Sequence, residues 1–536
     1  MPAQRSRTVT LTVLGVLAAL TAAVAAAPAS YAEPPTPPLF AEVPAGIPSA
    51  QKALTNAKAV MAGDATRGGP TLALRDLSAR LPEYSGADLD LAEALLARPN
   101  GGDQSVEVGT GAAWGQPEAA ESPLCDNPES PLLCVHWTAI GKHAPPLEDG
   151  PDDGSTPDQV DTTLAVMLDV WSTEVDTFGY RAPLSDDRAA QDAGPGFDVY
   201  LSDIGENGYY GYCATDDSRD FATYPFYDRA AYCVLDDDYS PVEFPANSAT
   251  QNLKVTAAHE FFHAIQFAYD AYEDAWFMEG TAAWIEDEVY DRINDNQQFL
   301  WDSQFRQPGV SLDTGEGGTE YGAWGFFRFL SERYGRDVVR DFWSLTDGSP
   351  DGPDDYSLSA VKRVLALRDT TLYDSYGDFA VSVLKPSTFY QEGEYYPSPD
   401  IRRQALGGSR ITTGWQRSQI DHLAADFRSV RPKSTVPRRA KVRVRVDAPK
   451  RSTKPRALAL VEFRTGAVRT YPVPLDRGGE GAVDLPFGRT RVDQVTVALV
   501  NASDRFTCFQ GLTSYSCGGG VPLDQRRTFR VKISIR

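Results

Sequence analysis

Ala258-His259-Glu260-Phe261-Phe262-His263 sets two of the chain's five histidines four residues apart, with a glutamate directly after the first. On a helix, positions i and i+4 share a face, so His259 and His263 can present two imidazoles to one divalent ion while Glu260 flanks it. The neighbours Val255, Phe262, Ile265, Phe267 and Tyr269 keep the stretch apolar over several turns. That pattern predicts a buried helix, where a histidine pair needs a ligand or a hydrogen-bond partner. Two solvated histidines on a surface helix are the plain alternative.

A zinc ion that does chemistry takes three protein ligands and leaves one position for water. Trp276-Phe277-Met278-Glu279-Gly280-Thr281-Ala282-Ala283-Trp284 reads as a turn entering a second helix, with Glu279 near its start. The link before it, residues 271–275, is short and polar enough to fold that helix back on the first. Glu279 is therefore the candidate third ligand. The alternative is a glutamate complementing the dipole of a helix N-terminus. Glu286 and Asp287, two turns further on, read as solvated helix surface.

His259-Glu260-x-x-His263 followed by Trp276-x-x-Glu279-Gly280-x-Ala282 resembles the gluzincin metallopeptidases, in particular their aminopeptidase-like branch. Tyr321-Gly322-Ala323-Trp324-Gly325-Phe326-Phe327 resembles the start of the helix on which that branch carries its transition-state tyrosine. From Cys134 to Tyr334 the chain is similar to a set of secreted bacterial metalloproteinases. The resemblance implies an α+β domain, with a mixed sheet, the metal helix and a helical lobe. It implies Zn2+ held by His259, His263 and Glu279, Glu260 as general base and acid, and Tyr321 as the donor to an oxyanion. The chain departs from the pattern in three places. Only 15 residues separate His263 from Glu279, so the loop between the helices must be tight. Position 283 is Ala283 where thermolysin-type enzymes carry an aspartate, so another group must support His259. No Gly-x-Met-Glu-Asn segment precedes the first helix, which favours an endopeptidase over an aminopeptidase.

The first 32 residues read as a signal peptide: Arg5 and Arg7, then an apolar run from Val9 to Ala27, then Ser30-Tyr31-Ala32 as a small-residue cleavage site. A membrane anchor is the alternative; no later segment is long and apolar enough to span a bilayer. Six cysteines fall into three neighbouring pairs, Cys125 with Cys134, Cys213 with Cys233, and Cys508 with Cys517. Local pairing closes three small loops and is the simplest of the possible connectivities. The expectation is a secreted, oxidised protein.

With 536 residues and 42% hydrophobic content there is room for two or three domains. Residues 33–115 carry helical patterns and read either as a propeptide or as an ordinary helical subdomain. Residues 116–410 are assigned to the metallopeptidase domain. Within it Leu133 to Thr138, Phe197 to Leu201 and Ala231 to Leu235 read as strands, and Leu164 to Phe178 follows helical spacing. The resemblance to gluzincins implies that the last of these strands borders the cleft and pairs with extended substrate. Residues 436–536 alternate as β-strands, Lys441-Val442-Arg443-Val444-Arg445-Val446 most strictly, and predict a β-sandwich stapled by Cys508 and Cys517.

Charge is uneven. From residue 401 onward 27 Lys plus Arg face 10 Asp plus Glu, a net +17, whereas the remainder is net −40. A basic tail fits an anionic cell-wall polymer, an acidic partner domain, or simply an arginine-rich exposed face. The basic residues form no recognisable nucleic-acid motif, so nucleic acid is not expected as a partner. Acidic clusters at Asp152-Asp153, Asp236-Asp237-Asp238 and Asp351 to Asp355 are candidates for structural Ca2+, although none matches a calcium loop and solvated turns are favoured. His136, His143 and His422 are taken as structural or surface residues. The reading as a whole is a zinc-dependent endopeptidase acting on protein or peptide. Its rivals are a secreted polyanion- or cell-wall-binding protein with a non-catalytic metal site, and a zinc hydrolase of another amide or ester.

Overall fold

The computed structural model describes residues 43–64, 69–99, 123–146, 156–185, 196–217 and 219–536. The signal-peptide assignment and Asp152-Asp153 lie outside them. Three short helices come first, α1 (Ala50–Met61), α2 (Pro70–Ala79) and α3 (Ala87–Leu96). Pro70 opens α2, where its missing N–H costs nothing and its fixed φ suits the first turn.

A five-stranded sheet follows, built from β1 (Leu124–Cys125), β2 (Leu133–His136), β3 (Phe197–Leu201), β4 (Gly211–Ala214) and β5 (Tyr232–Leu235) in the order β1-β2-β3-β5-β4. β2, β3 and β5 run parallel, while β1 and β4 are antiparallel at the two edges. The alternation of side chains divides the sheet's two faces. Tyr200, Tyr212, Tyr232 and Val234 pack under α1–α3 with Leu54, Leu74, Leu77 and Leu95. Val199, Leu201, Cys233 and Leu235 join the main core with α4 (Asp158–Trp171) and α5 (Ala249–Asp270). Cover on both faces explains why these strands read as continuous apolar runs. Beyond Trp171 the predicted helix does not continue as α: Ser172–Thr177 form a π turn.

Two cross-strand disulfides tie this sheet, Cys125–Cys134 between β1 and β2 and Cys213–Cys233 between β4 and β5. The third expected pair, Cys508–Cys517, also forms. β5 lies inside the sheet, with β3 on one side and β4 on the other. It therefore has no free edge for a substrate, and the strand at the edge beside α5 is β4.

A helical lobe continues with α6 (Ala275–Tyr290), α7 (Thr319–Gly322), α8 (Trp324–Tyr334), α9 (Asp337–Leu345), α10 (Ser357–Leu367) and α11 (Leu372–Ser382). The C-terminal sandwich starts earlier than residue 436. It comprises β6 (Arg403–Leu406), β7 (Gln416–Ile420), β8 (Ala424–Pro432), β9 (Lys441–Asp447), β10 (Pro455–Phe463), β11 (Val468–Pro472), β12 (Glu480–Pro486), β13 (Val492–Asn501), a short hairpin of β14 (Phe506–Thr507) and β15 (Val521–Pro522), and β16 (Arg527–Ile535). One sheet is ordered β11-β10-β13-β8-β6 and the other β12-β9-β16-β7.

The first of these sheets is covered on both sides. Ala457, Ala459, Val461, Val497 and Leu499 face the sandwich interior, whereas Leu458, Leu460, Ala498, Val500 and Phe427 belong to the core of the helical lobe. Tyr376 on α11 donates its hydroxyl to the Leu423 carbonyl across that boundary. Double burial hides the period-two signal, which is why β8 escaped the strand pattern. The Cys508–Cys517 disulfide does not staple the sandwich. It closes an excursion whose backbone reaches the helical lobe: Cys517 and Gly518 N–H groups donate to Asp274, and Ser516 N–H donates to Asp313. Among the described residues no helix is long and apolar enough to cross a membrane.

Candidate metal centre

Helix α5 begins with a reciprocal cap: Ser248 Oγ accepts from Gln251 N–H, and the Gln251 side chain accepts from Ser248 N–H. From Asn252 to Asp270 nearly every side chain is buried, so the helix runs through the core. Its C-terminal end is turned sharply by Asp270, whose carboxylate accepts from Tyr272 N–H, and α6 starts at Ala275. The tight loop required by the 15-residue spacing is present, and α6 packs back along α5.

The consequence is convergence. His259 Nε2 lies 3.3 Å and His263 Nε2 3.4 Å from the same Glu279 oxygen, Oε2. The ligand-type atoms of the three residues all lie within 4.8 Å of one another. The other ring nitrogens are occupied: His259 Nδ1 is 2.6 Å from Glu286 Oε1, and His263 Nδ1 is 2.7 Å from Gln266 Oε1. Gln266 is fixed in turn, donating to the Met278 carbonyl and to Thr281 Oγ1. With both Nδ1 atoms engaged by these oxygens, both Nε2 atoms turn toward one carboxylate oxygen. A cation compensates there: either a proton on the His259 ring, whose pKa burial would lower but the Glu279 and Glu286 carboxylates raise, or a metal ion in its place. Burying a carboxylate costs several kcal/mol unless it is compensated, and Glu279 is 1% exposed, with Oε1 lacking a hydrogen-bond partner among the described residues. Burial would raise the Glu279 pKa, but the His263 and His259 rings outweigh it and bring it down to about 2. This donor set, two imidazoles and one ionised carboxylate, fits Zn2+.

Glu286 is the group that supports His259 in place of the absent aspartate at 283. The reading of Glu286 and Asp287 as solvated surface is wrong: they are 5% and 2% exposed. Glu286 lies seven residues after Glu279, two turns along the same helix face, so its spacing was the signal that could have found it. Burial lifts its pKa to about 7 against the pull of His259. Asp287 instead pairs with Arg328 at 2.9 Å.

Glu260 sits on the same helix with its pKa raised by burial, opposed by the two imidazoles. Strand β4 runs directly against it. A Cβ at Gly211 would come within 2.9 Å of Glu260 Cγ, so only glycine lets the strand approach this closely. Tyr321 is brought to the centre by α7. Its ring stacks on Phe299 at 5.0 Å and lies 6.0 Å from the His259 ring. Burial and then the neighbouring Glu279 charge push the phenol well above its ordinary pKa, so it remains a neutral donor. Gly280 allows the approach of α7 and α8, since a Cβ there would meet Phe327 at 2.9 Å and Ala323 at 3.0 Å. All five expected site residues, His259, Glu260, His263, Glu279 and Tyr321, are thus gathered in one place.

The remaining histidines are buried and structurally engaged: His136 with Asp198 at 2.7 Å, His143 with Ser202 at 2.8 Å, and His422 with Asp313 at 2.8 Å. Asp236 and Asp237 are not solvated turn residues. They are 0% and 5% exposed. Asp236 organises the chain by accepting from the Ile204, Gly205 and Tyr239 N–H groups. Asp203, Asp236 and Asp237 bring carboxylate oxygens within 4.8 Å of one another.

A family model described as a family of unknown function, DUF6055, matches residues 222–386, the stretch that carries α5, α6 and α7. No curated protein matches the chain. Among solved structures, a family GH115 4-O-methyl-α-glucuronidase with specificity for decorated arabinogalactans aligns at 9% identity over 67% of this chain and 54% of its own, with a TM-score of 0.14. A superposition that poor carries no argument about this chain.

Proposed function

We propose that this chain is a secreted zinc-dependent peptidase of gluzincin type, cleaving within peptide chains. The observation that carries the reading is the convergence of two Nε2 atoms on one buried Glu279 oxygen while Glu286 and Gln266 hold both Nδ1 atoms. His259, His263 and Glu279 would hold the ion. Zinc bound there supplies Lewis acidity toward a carbonyl and toward water. Glu260, with its proton affinity raised by burial, is suited to accept a proton from water and return it to a leaving amine. Tyr321 offers a hydroxyl donor to a developing oxyanion. Three disulfides fit an oxidising compartment.

A test is hydrolysis of labelled casein by the wild type and Glu260→Gln, with zinc content measured in both. The expected result is full zinc occupancy in both and a rate loss of roughly 10²–10⁴-fold in the variant. Equal rates would remove Glu260 from any chemistry.

The rival reading, a polyanion-binding protein with a silent metal site, draws on the outer face of the second sandwich sheet. There Arg445 stands opposite Lys532 in register across neighbouring strands, while Arg530 is paired with Asp447. Like charges set opposite one another are costly, so an anionic polymer is the partner class for that face. Retained binding to a teichoic-acid-like polyphosphate, with casein untouched, would favour this reading.

A further inference from the structure

The four residues central to the site are closed off: His259 and Glu260 are 8% and 7% exposed, His263 and Glu279 1% each. A peptidase must admit an extended chain to these groups, so what covers them matters. The cover is the first turn of α2. Thr71 Oγ1 donates to Glu260 Oε2 at 3.3 Å. Thr71 Oγ1 in turn accepts from Cys213 N–H at 3.0 Å, taking up an outward-facing donor of the edge strand β4. At Gly69, in extended conformation just before α2, a Cβ would fall 2.6 Å from the Tyr321 hydroxyl and 3.7 Å from Glu279 Oε1. The turn therefore touches the candidate base, the candidate oxyanion donor, the candidate third ligand and the strand edge where a substrate backbone would pair.

This cover is held down firmly. Arg75 in α2 donates to the Glu273 carbonyl at 2.9 Å, in the loop joining the two ligand helices. Arg98, just after α3, forms buried ion pairs with Asp198 and Asp216. Tyr232 on β5 donates its hydroxyl to the Leu96 carbonyl. Leu54, Leu74, Leu77 and Leu95 seat the three helices on the sheet. A segment anchored at so many points does not lift by loop motion alone.

We infer that residues 43–99 are an intramolecular inhibitor, whose Gly69–Thr71 turn occupies the substrate position of the candidate metal centre until the segment is displaced. The inference rests on the peptidase reading for its meaning but not for its test. A recognition sequence for a specific protease is inserted between Pro99 and Pro123 of the full chain. The metal-stripped protein is then treated with diethylpyrocarbonate before and after cutting, and modification of each histidine is followed by peptide mapping.

Once the segment has separated, His259 and His263 are expected to react at least tenfold faster, while His422, which is fully buried elsewhere, keeps its rate. Unchanged rates at His259 and His263 after separation overturn the inference. Should the cut segment stay bound, uncut Gly69→Leu decides: a Cβ there already meets the Tyr321 hydroxyl at 2.6 Å and stands 3.7 Å from Glu279 Oε1, so the longer side chain fits only if the turn lifts, and an unchanged histidine rate in that variant overturns the inference equally. Casein hydrolysis by the zinc-loaded cut protein is measured alongside. Exposed histidines without hydrolysis leave the closure standing and sink the peptidase reading instead.

Discussion

Removing the Glu286 carboxylate probes the centre most sharply, because the residue is no ligand and yet the geometry makes ligand strength depend on it. Glu286 Oε1 sits 2.6 Å from His259 Nδ1, with both residues less than a tenth exposed. A hydrogen bond to a charged group in such a setting is worth about 1.5–3 kcal/mol, and each 1.4 kcal/mol is roughly tenfold in affinity. Glu286→Gln keeps a neutral carbonyl acceptor for the ring N–H, so zinc affinity is expected to fall about tenfold, the low end for groups that orient a ligand. Glu286→Leu leaves that N–H buried without an acceptor, and the loss should approach roughly 100-fold. Competition titration against a zinc chelator of known affinity reads both values, and thermal unfolding of the metal-free proteins separates weakened binding from a damaged fold. If the leucine variant holds zinc within about twofold of wild type while folding normally, the role given to Glu286 is wrong.

Tyr321→Phe should keep its zinc and its substrate KM while kcat for a peptide substrate drops by about 10²–10³-fold, the cost of losing one oxyanion donor; a larger change in KM than in kcat would contradict that role. Gly280→Ala should destabilise the protein by about 1–3 kcal/mol through overpacking against Phe327 and Ala323, visible as a lowered unfolding midpoint in denaturant. Burial, then the charges of Asp236, Asp238 and Asp203, lifts the Asp237 pKa to about 8. A carboxyl raised in the folded state stabilises below its unfolded pKa, and that contribution disappears as pH rises through about 8. Asp237→Asn should therefore unfold at higher temperature than wild type above pH 8, by several kcal/mol in stability, and match it near pH 4. Calorimetry across pH in the presence of a chelator tests this, and a variant that tracks wild type at every pH would discard the argument.

Much of this molecule is written in short-range pattern. The four-residue interval of His259 and His263 fixes that they share a helix face, and Glu279 follows closely enough that the next helix can only return along the first. Neighbouring cysteines close the loops they were expected to close. The strict alternation from Lys441 marks a strand with one wet face.

Other features depend on which surfaces meet, and local periodicity is silent there. Glu286 reads as an ordinary helix acid until α5 lies against α6 and places it on His259, 27 residues earlier. The resemblance assigns β5 to the cleft, and only the sheet order puts β4 at the edge. β8 lost its alternation because the helical lobe buries its second face. Thr71 meets Glu260 across 189 residues. The composition of residues 43–99 gave no hint that their second helix would stand over the candidate metal centre. A sequence fixes the period and polarity of each element through neighbours three or four positions away. Which group completes a buried carboxylate or closes a cleft is settled by packing between segments far apart in the chain.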